Sequence, residues 1–196
     1  AVRSMGVRPP RIGVVHRATG QTSLAPFIRA DGRSPARWQT RVELAWDEDR
    51  LSVHVPRSDD GAWGPYTERD APLWQQEVVE LFLAAGEAVP ARYFEFEVSP
   101  AGVLFDALVG NPHGDRIGLT VDPAWNCPGI EWGAEPTRER ADWRAHLAIP
   151  WRGLDLAAPP ATLRANFYRI ERPRAGEPEF SCWSPTLTSP ADFHRP

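Results

Sequence analysis

Three short apolar runs, each closed by turn-forming residues, constrain this chain more than any other feature of its sequence. They lie within segments 77–83, 93–99 and 103–110 and are rich in Val, Phe and Leu. Each run is followed by Gly and Pro: Gly86 and Pro90, Pro100 and Gly102, Gly110 and Pro112. This pattern is typical of three consecutive antiparallel strands.

The alternation of side chains along these strands predicts one apolar face and one acidic face, because successive residues of a strand point to opposite sides. In the second strand, Phe94, Phe96 and Val98 share one face. The other face takes Tyr93, Glu95 and Glu97. Four acids gather on this meander: Glu80, Glu95, Glu97 and Asp106. They indicate either a binding site or a solvated outer face, and the alternation alone leaves both open.

The rest of the chain reads as further short strands joined by ordered loops. A hairpin is predicted from 42–46 and 51–55. Other strands are expected at 11–16, 117–121, 130–135, 143–149, 163–171 and 180–185, with a helical turn at 150–154. The 21 prolines argue against a mainly helical chain. We therefore predict an all-β fold, a two-sheet antiparallel β-sandwich of the jelly-roll type with about ten strands and little helix.

Length and composition predict one domain spanning residues 1–196, with 1–40 as a less strongly patterned N-terminal part of it. The net charge of -4 offers no basic surface for nucleic acid. No apolar run reaches 18 residues, so no transmembrane segment is expected. Cys127 and Cys182 could form a disulfide in an oxidising compartment, or each could be a buried thiol.

Several motifs together resemble a known family: the Asp-Ala-Pro-Leu-Trp of 70–74, the acidic-apolar run of 77–83, the strand and turn of 93–102, and the Trp-Ser-Pro and Asp-Phe-His of 183–194. They are similar to the carbohydrate-binding module family 9-like proteins, within the wider DOMON-like group of sugar- and haem-binding β-sandwiches. The resemblance runs from about residue 40 to the end and points to a stand-alone subgroup. It implies an extracellular or periplasmic location if a signal peptide has been removed, and a cytoplasmic one otherwise.

The resemblance also implies a sugar slot lined by two tryptophans. Trp74 matches the first ring and Trp183 the second, while Glu80 matches an acid that bonds sugar hydroxyls. In family members attached to xylanases, calcium supports the fold. Asp59 and Asp60 are the candidate calcium ligands here, with a plain turn as the alternative.

The chemistry of a sugar explains why these residue types fit. An indole ring covers the apolar face of a sugar, and carboxylate and Arg side chains bond its hydroxyls through charge-assisted hydrogen bonds. The predicted ligand-binding residues are Trp74, Glu77, Glu80, Glu95, Glu97, Asn166, Arg169 and Trp183. The architectural alternative has both tryptophans closing the ends of the sandwich. It places Glu80, Glu95 and Glu97 in an internal salt-bridge network with Arg92, Arg169 or Arg172.

The function predicted is therefore non-catalytic binding of a carbohydrate or related polar small molecule, with no cofactor and with a structural calcium left open. One alternative is a glycoside hydrolase, because Glu95 and Glu97 would lie roughly 6.5–7 Å apart along a strand, within reach of the carboxylate spacings of about 5–9.5 Å found in glycosidases. The other is a structural or protein-interaction sandwich. Haem is not expected, since the only Met is Met5 and the five His show no metal-binding spacing.

Overall fold

The computed structural model describes residues 20–57, 64–136 and 142–196 of the chain, and within them twelve strands form two antiparallel sheets. The five-stranded sheet has the order β1-β3-β4-β10-β9. Its strands are β1 (Gln21–Leu24), β3 (Val42–Trp46), β4 (Arg50–Arg57), β9 (Glu131–Pro136) and β10 (Trp143–Pro150). The predicted strand at 11–16 lies outside the described residues.

The seven-stranded sheet has the order β2-β12-β11-β5-β6-β7-β8. Its strands are β2 (Ile28–Arg29), β5 (Val78–Ala85), β6 (Arg92–Val98), β7 (Leu104–Gly110), β8 (Thr120–Asp122), β11 (Leu163–Glu171) and β12 (Glu179–Cys182). Short 3₁₀ helices occur at Leu73–Gln75 and Trp151–Leu154. The all-β sandwich, the hairpin and the meander predicted from sequence are confirmed.

Two separate apolar clusters cover the two faces of the seven-stranded sheet. The first lies between the sheets and joins Val53 and Leu147 of the five-stranded sheet to Leu81 and Phe96 of the other. The second lies on the outer face and contains Phe82, Tyr93, Phe105, Tyr168 and Phe193. Because loops and the C-terminal segment supply part of this second cluster, neither face of the central strands is left to solvent.

The strand predicted at 117–121 is shorter than expected. The segment 117–121 begins in a turn, and β8 covers only Thr120–Asp122. Arg116 and Gly118 both have positive φ angles, and the backbone N–H of Ile117 donates to Asp115 Oδ1 at 3.0 Å. Left-handed backbone of this kind interrupts a strand, so the apolar pattern there overstated its length.

Both cysteines are buried free thiols, Cys127 in the first cluster and Cys182 in the second. A disulfide between them, left open by the sequence, is absent from this structure. Across the described residues, no helix is long and apolar enough to cross a membrane.

Candidate functional site

Three glutamates meet on the outer face of the seven-stranded sheet, and we call Glu80, Glu95 and Glu97 the carboxylate cluster. Glu80 of β5 is directly opposite Glu97 of β6. Glu95 precedes Glu97 by two residues and therefore shares its face. One carboxylate oxygen from each residue lies within 4.8 Å of the other two. The shared face predicted for Glu95 and Glu97 is thus what the strand register produces.

The carboxylate cluster is buried. The exposed fractions are 6% for Glu80, 4% for Glu95 and 1% for Glu97. The outer apolar cluster covers this face, and the ring of His194 stacks on Phe82 with centroids 5.0 Å apart. The interpretation of this face as a solvated surface is therefore wrong, because the C-terminal segment packs on it.

Burial changes the protonation chemistry of all three carboxyls. Desolvation raises the pKa of Glu80 well above its ordinary value, and the charge of Glu95 raises it further. Desolvation also raises the pKa of Glu97, with additional increases from Glu80 and Glu95. The pKa of Glu95 rises to about 7 because desolvation outweighs its hydrogen bond to Glu97 and the attraction of Arg116. The cluster therefore favours bound protons or another source of positive charge.

Asp106, the fourth acid of the meander, lies on the opposite face of the sheet. It pairs with Phe96, which points into the space between the sheets. Its carboxylate accepts hydrogen bonds from Arg69 Nη2 at 2.9 and 3.0 Å and from the backbone N–H of Cys127 at 2.7 Å. Grouping it with the three glutamates was wrong, because alternation along β7 turns it inward, where it anchors two loops.

Glu77 and Arg169 belong to a second buried charged group, the ion-pair network of Arg57, Glu77, Arg169 and Glu171. The Arg57 guanidinium donates to Glu77 Oε1 at 2.7 Å and to Glu171 Oε2 at 2.9 Å. Arg169 donates to Glu171 and, at 3.1 Å, to the carbonyl of Trp38. The indole N–H of Trp143 donates to Glu77 Oε1 at 3.0 Å, and Arg57 lies 4.3 Å above that ring.

The salt-bridge network expected for Glu80, Glu95 and Glu97 involves other residues. Within the described ranges no salt bridge joins these three glutamates to Arg92, Arg169 or Arg172. Arg169 pairs with Glu171 instead, and Arg172 donates to the carbonyls of Gln76 and Trp74. Arg169 is on the inner face because it pairs with Val79, so the sheet itself separates it from the carboxylate cluster.

Asn166 lies in β11 and bonds to the chain beyond the last strand. Its amide nitrogen donates to the carbonyl of Ser184 at 2.8 Å, and its oxygen accepts from the N–H groups of Ser184 and Phe167. These bonds tie β11 to the segment that follows β12.

The two predicted stacking tryptophans lie against different clusters. Trp74 is in the 3₁₀ helix Leu73–Gln75, is 44% exposed, and meets Phe105 edge-on with centroids 5.3 Å apart. Trp183 is half-buried against the cluster between the sheets, and its backbone N–H donates to the Phe167 carbonyl at 2.9 Å. Trp74 therefore presents an open ring, while Trp183 has one side in the core.

Sequence reasoning missed Arg57, Glu171 and Trp143. All three side chains point into the space between the sheets. For Arg57 the sequence contained a signal, because it continues the inward alternation of Val53 and Val55 in β4. A buried Arg on the inward face needs an acid on the same face, so an ion pair could have been predicted. The calcium candidates Asp59 and Asp60 lie outside the described residues.

The chain is similar to known proteins in sequence and in fold. No family model matches the chain. An "Extracellular protein" of Arthroderma benhamiae is 27% identical over 164 residues, covering 80% of this chain and 74% of that protein.

Solved structures give the same architecture. A Bacteroides uniformis protein for which carbohydrate binding is proposed superposes with a TM-score of 0.68 at 16% identity, covering 90% of this chain and 83% of that one. A family 9 carbohydrate-binding module of Caldicellulosiruptor kristjanssonii, solved with cellotriose, gives 0.52 at 12% identity over 84% of this chain and 76% of that one. A family 9 module of the same organism, solved with glucose, gives a TM-score of 0.52 at 14% identity and covers 93% of this chain and 88% of that one. The chain therefore has the fold of the carbohydrate-binding modules of family 9.

Proposed function

We propose that this chain binds a carbohydrate without transforming it, with Trp74 as the stacking surface. The observation that carries the proposal is the exposure of this one ring. Trp74 is 44% exposed, and no other Phe, Tyr or Trp in the described ranges is as exposed. An exposed indole is costly to leave in water and suits the apolar face of a sugar.

The ring is held firmly enough to act as a platform. Its neighbour Leu73 is completely buried, and Phe105 supports the indole from below. Arg172 Nη2 donates to the Trp74 carbonyl at 3.1 Å, which fixes the backbone of the 3₁₀ helix. A fixed ring loses little conformational entropy on binding, so more of the stacking energy appears as affinity.

Polar side chains bond to the segment that carries Trp74 and could bond sugar hydroxyls. The Tyr66 hydroxyl donates to Gln75 Oε1 at 2.8 Å, next to Trp74 in the chain. The Arg172 guanidinium brings a positive charge to the same segment, where it donates to the Trp74 and Gln76 carbonyls. Stacking with a few such bonds is the usual composition of a small-molecule site.

The remaining residues predicted to contact the sugar are buried or already engaged in other contacts. Glu77 and Arg169 are engaged in the ion-pair network, and Glu80, Glu95 and Glu97 lie under the outer cluster. Direct sugar contact at these residues, at Asn166 or at Trp183 stays a prediction, and at the carboxylate cluster it would require the C-terminal segment to move. The relative of Arthroderma benhamiae supports an extracellular location for this chain.

The test is a tryptophan fluorescence titration against a panel of mono- and oligosaccharides that begins with glucose and cellotriose. We expect saturable changes with dissociation constants between about 1 μM and 1 mM, abolished in Trp74→Ala. Leu187→Ala is the matched control, because Leu187 is 45% exposed. Trp183→Ala decides whether the second ring contributes. Binding that survives in Trp74→Ala, or no response to any sugar, contradicts the proposal.

The hydrolase alternative stays a separate prediction with its own test. Glu95 and Glu97 are close enough to act as a pair, but the outer cluster covers them. Release of chromophore from aryl glycosides, lost in Glu95→Gln, would support it. Absence of turnover by a protein that binds the same sugars would support binding alone.

A further inference from the structure

We propose that the carboxylate cluster binds a hard divalent cation, with Ca²⁺ as the best fit. Three side chains from two neighbouring strands place one oxygen each within 4.8 Å of the others. All three donors are oxygens, the ligands that Ca²⁺, Mg²⁺ and Mn²⁺ prefer over thiols or imidazoles. Its three glutamates are different residues from the calcium candidates Asp59 and Asp60 and from Trp74.

A second observation, independent of the clustering, points to a missing ligand. Glu80 Oε1 and Glu97 Oε2 are buried and have no hydrogen-bond partner. Buried polar atoms in folded proteins are nearly always paired, so two such oxygens on facing residues require an explanation. In the part of the chain that the structure describes, no Arg or His forms a salt bridge with these carboxylates.

The donors and their burial favour Ca²⁺ over Mg²⁺. Ca²⁺ accepts six to eight oxygen ligands in flexible geometry at about 2.3–2.6 Å, including bidentate carboxylates. Mg²⁺ requires near-octahedral geometry and usually keeps several of its waters, which suits a buried cluster less well. The three oxygens, each within 4.8 Å of the others, can surround one Ca²⁺. Six carboxylate oxygens could supply most of a Ca²⁺ coordination shell.

The charges also favour a cation. Three ionised carboxylates in an apolar environment repel one another and pay a large desolvation cost. A divalent ion leaves a net charge of about -1, and one proton shared between two carboxyls would neutralise it. Proton sharing without any metal is the competing explanation, and the two differ in whether Ca²⁺ alters the protein.

The experiment uses the whole chain, stripped with a chelator and titrated with Ca²⁺ by calorimetry and thermal unfolding. We expect binding of one ion at this site and a rise in Tm. Glu80→Gln and Glu97→Gln preserve side-chain shape and should each weaken binding at least tenfold. Glu87→Gln, at an exposed glutamate, should leave it unchanged.

A double variant separates this site from Asp59 and Asp60. Asp59→Asn combined with Asp60→Asn should retain the Ca²⁺ response. The proposal is overturned if that variant loses the response while Glu80→Gln keeps it, or if Ca²⁺ affects neither heat nor Tm of the wild-type chain. If the Gln variants do not fold, anomalous diffraction from Tb³⁺-soaked wild-type crystals decides: density among the three carboxylates supports the site, and density elsewhere contradicts it. Sugar titrations in chelator and in Ca²⁺ test the Trp74 proposal independently.

Discussion

The carboxylate cluster and the ion-pair network are both buried in the seven-stranded sheet, but they solve the problem of buried charge differently. The network on the inner face pairs Arg57 and Arg169 with Glu77 and Glu171, so its formal charges cancel. The cluster on the outer face has three acids and no Arg or His within salt-bridge distance among the described residues. A balanced group can be purely architectural, whereas an unbalanced one depends on protons or a bound cation.

The largest effect is expected from breaking the balanced group. Arg169→Met should lower the free energy of unfolding by about 3–5 kcal/mol, because Glu171 would keep a buried charge without this partner. Urea unfolding followed by tryptophan fluorescence measures the change, with Arg144→Met on the exposed side of β10 as the control. A loss below about 1 kcal/mol would mean that the network is not desolvated as described.

The carboxylate cluster should make the free energy of unfolding depend on pH. Folding raises the pKa of Glu95 from 4.5 to about 7, so the folded chain holds this proton more tightly than the unfolded chain. Its contribution is fully present below about pH 4.5 and is lost as pH rises through about 7, a change of roughly 3 kcal/mol.

The variant Glu95→Gln isolates this contribution in metal-free buffer. The difference in unfolding free energy between wild type and Glu95→Gln should fall across that pH interval. His194 opposes the trend in both proteins: burial lowers its pKa to about 4, so its contribution is lost as pH falls below about 6.5. The contribution of His194 cancels in the difference between the unfolding free energies of the two proteins. A pH-independent difference would contradict the raised pKa.

The same substitution, Glu to Gln, should change the free energy of unfolding in opposite directions in the two groups. At pH 8 in chelator, Glu77→Gln should destabilise the chain by about 1–3 kcal/mol, because Arg57 and the Trp143 indole lose a charged acceptor. Glu97→Gln should instead stabilise it by about 1 kcal/mol, since it removes repulsion from Glu80 and Glu95. Thermal unfolding of the two variants side by side measures this. Equal signs would remove the distinction between the two groups.

The sequence predicted the strands well and the surroundings of the acids less well, for a physical reason. Alternation is local, so the strand 163–171 and the shared face of Glu95 and Glu97 could be predicted from adjacent residues. The cover over that face depends on packing by Phe193 and His194, nearly 100 residues away in the chain, and no local pattern encodes it. Asp106 was misplaced although its parity with Leu104 was visible, because its acidity was given more weight than its position.

The smallest stability effect is expected at the Trp74 platform. Trp74→Ala should change the free energy of unfolding by about 1 kcal/mol or less, because the ring is half exposed and contacts Phe105 only edge-on. It should nevertheless abolish sugar binding. A stability loss of several kcal/mol, measured by urea unfolding, would identify Trp74 as a core residue and favour the architectural interpretation.

The most direct test of the central claim is the set of indole N–H signals in a two-dimensional ¹H–¹⁵N NMR spectrum, recorded as cellotriose is added. The signal of Trp74, assigned with Trp74→Phe, should shift progressively and saturate. Trp143 and Trp151 serve as internal references, because their indole N–H groups are bonded to Glu77 Oε1 and to the Asp47 carbonyl. A parallel shift at Trp183 would add the second ring of the predicted clamp. No shift at Trp74 with any sugar of the panel would contradict the account.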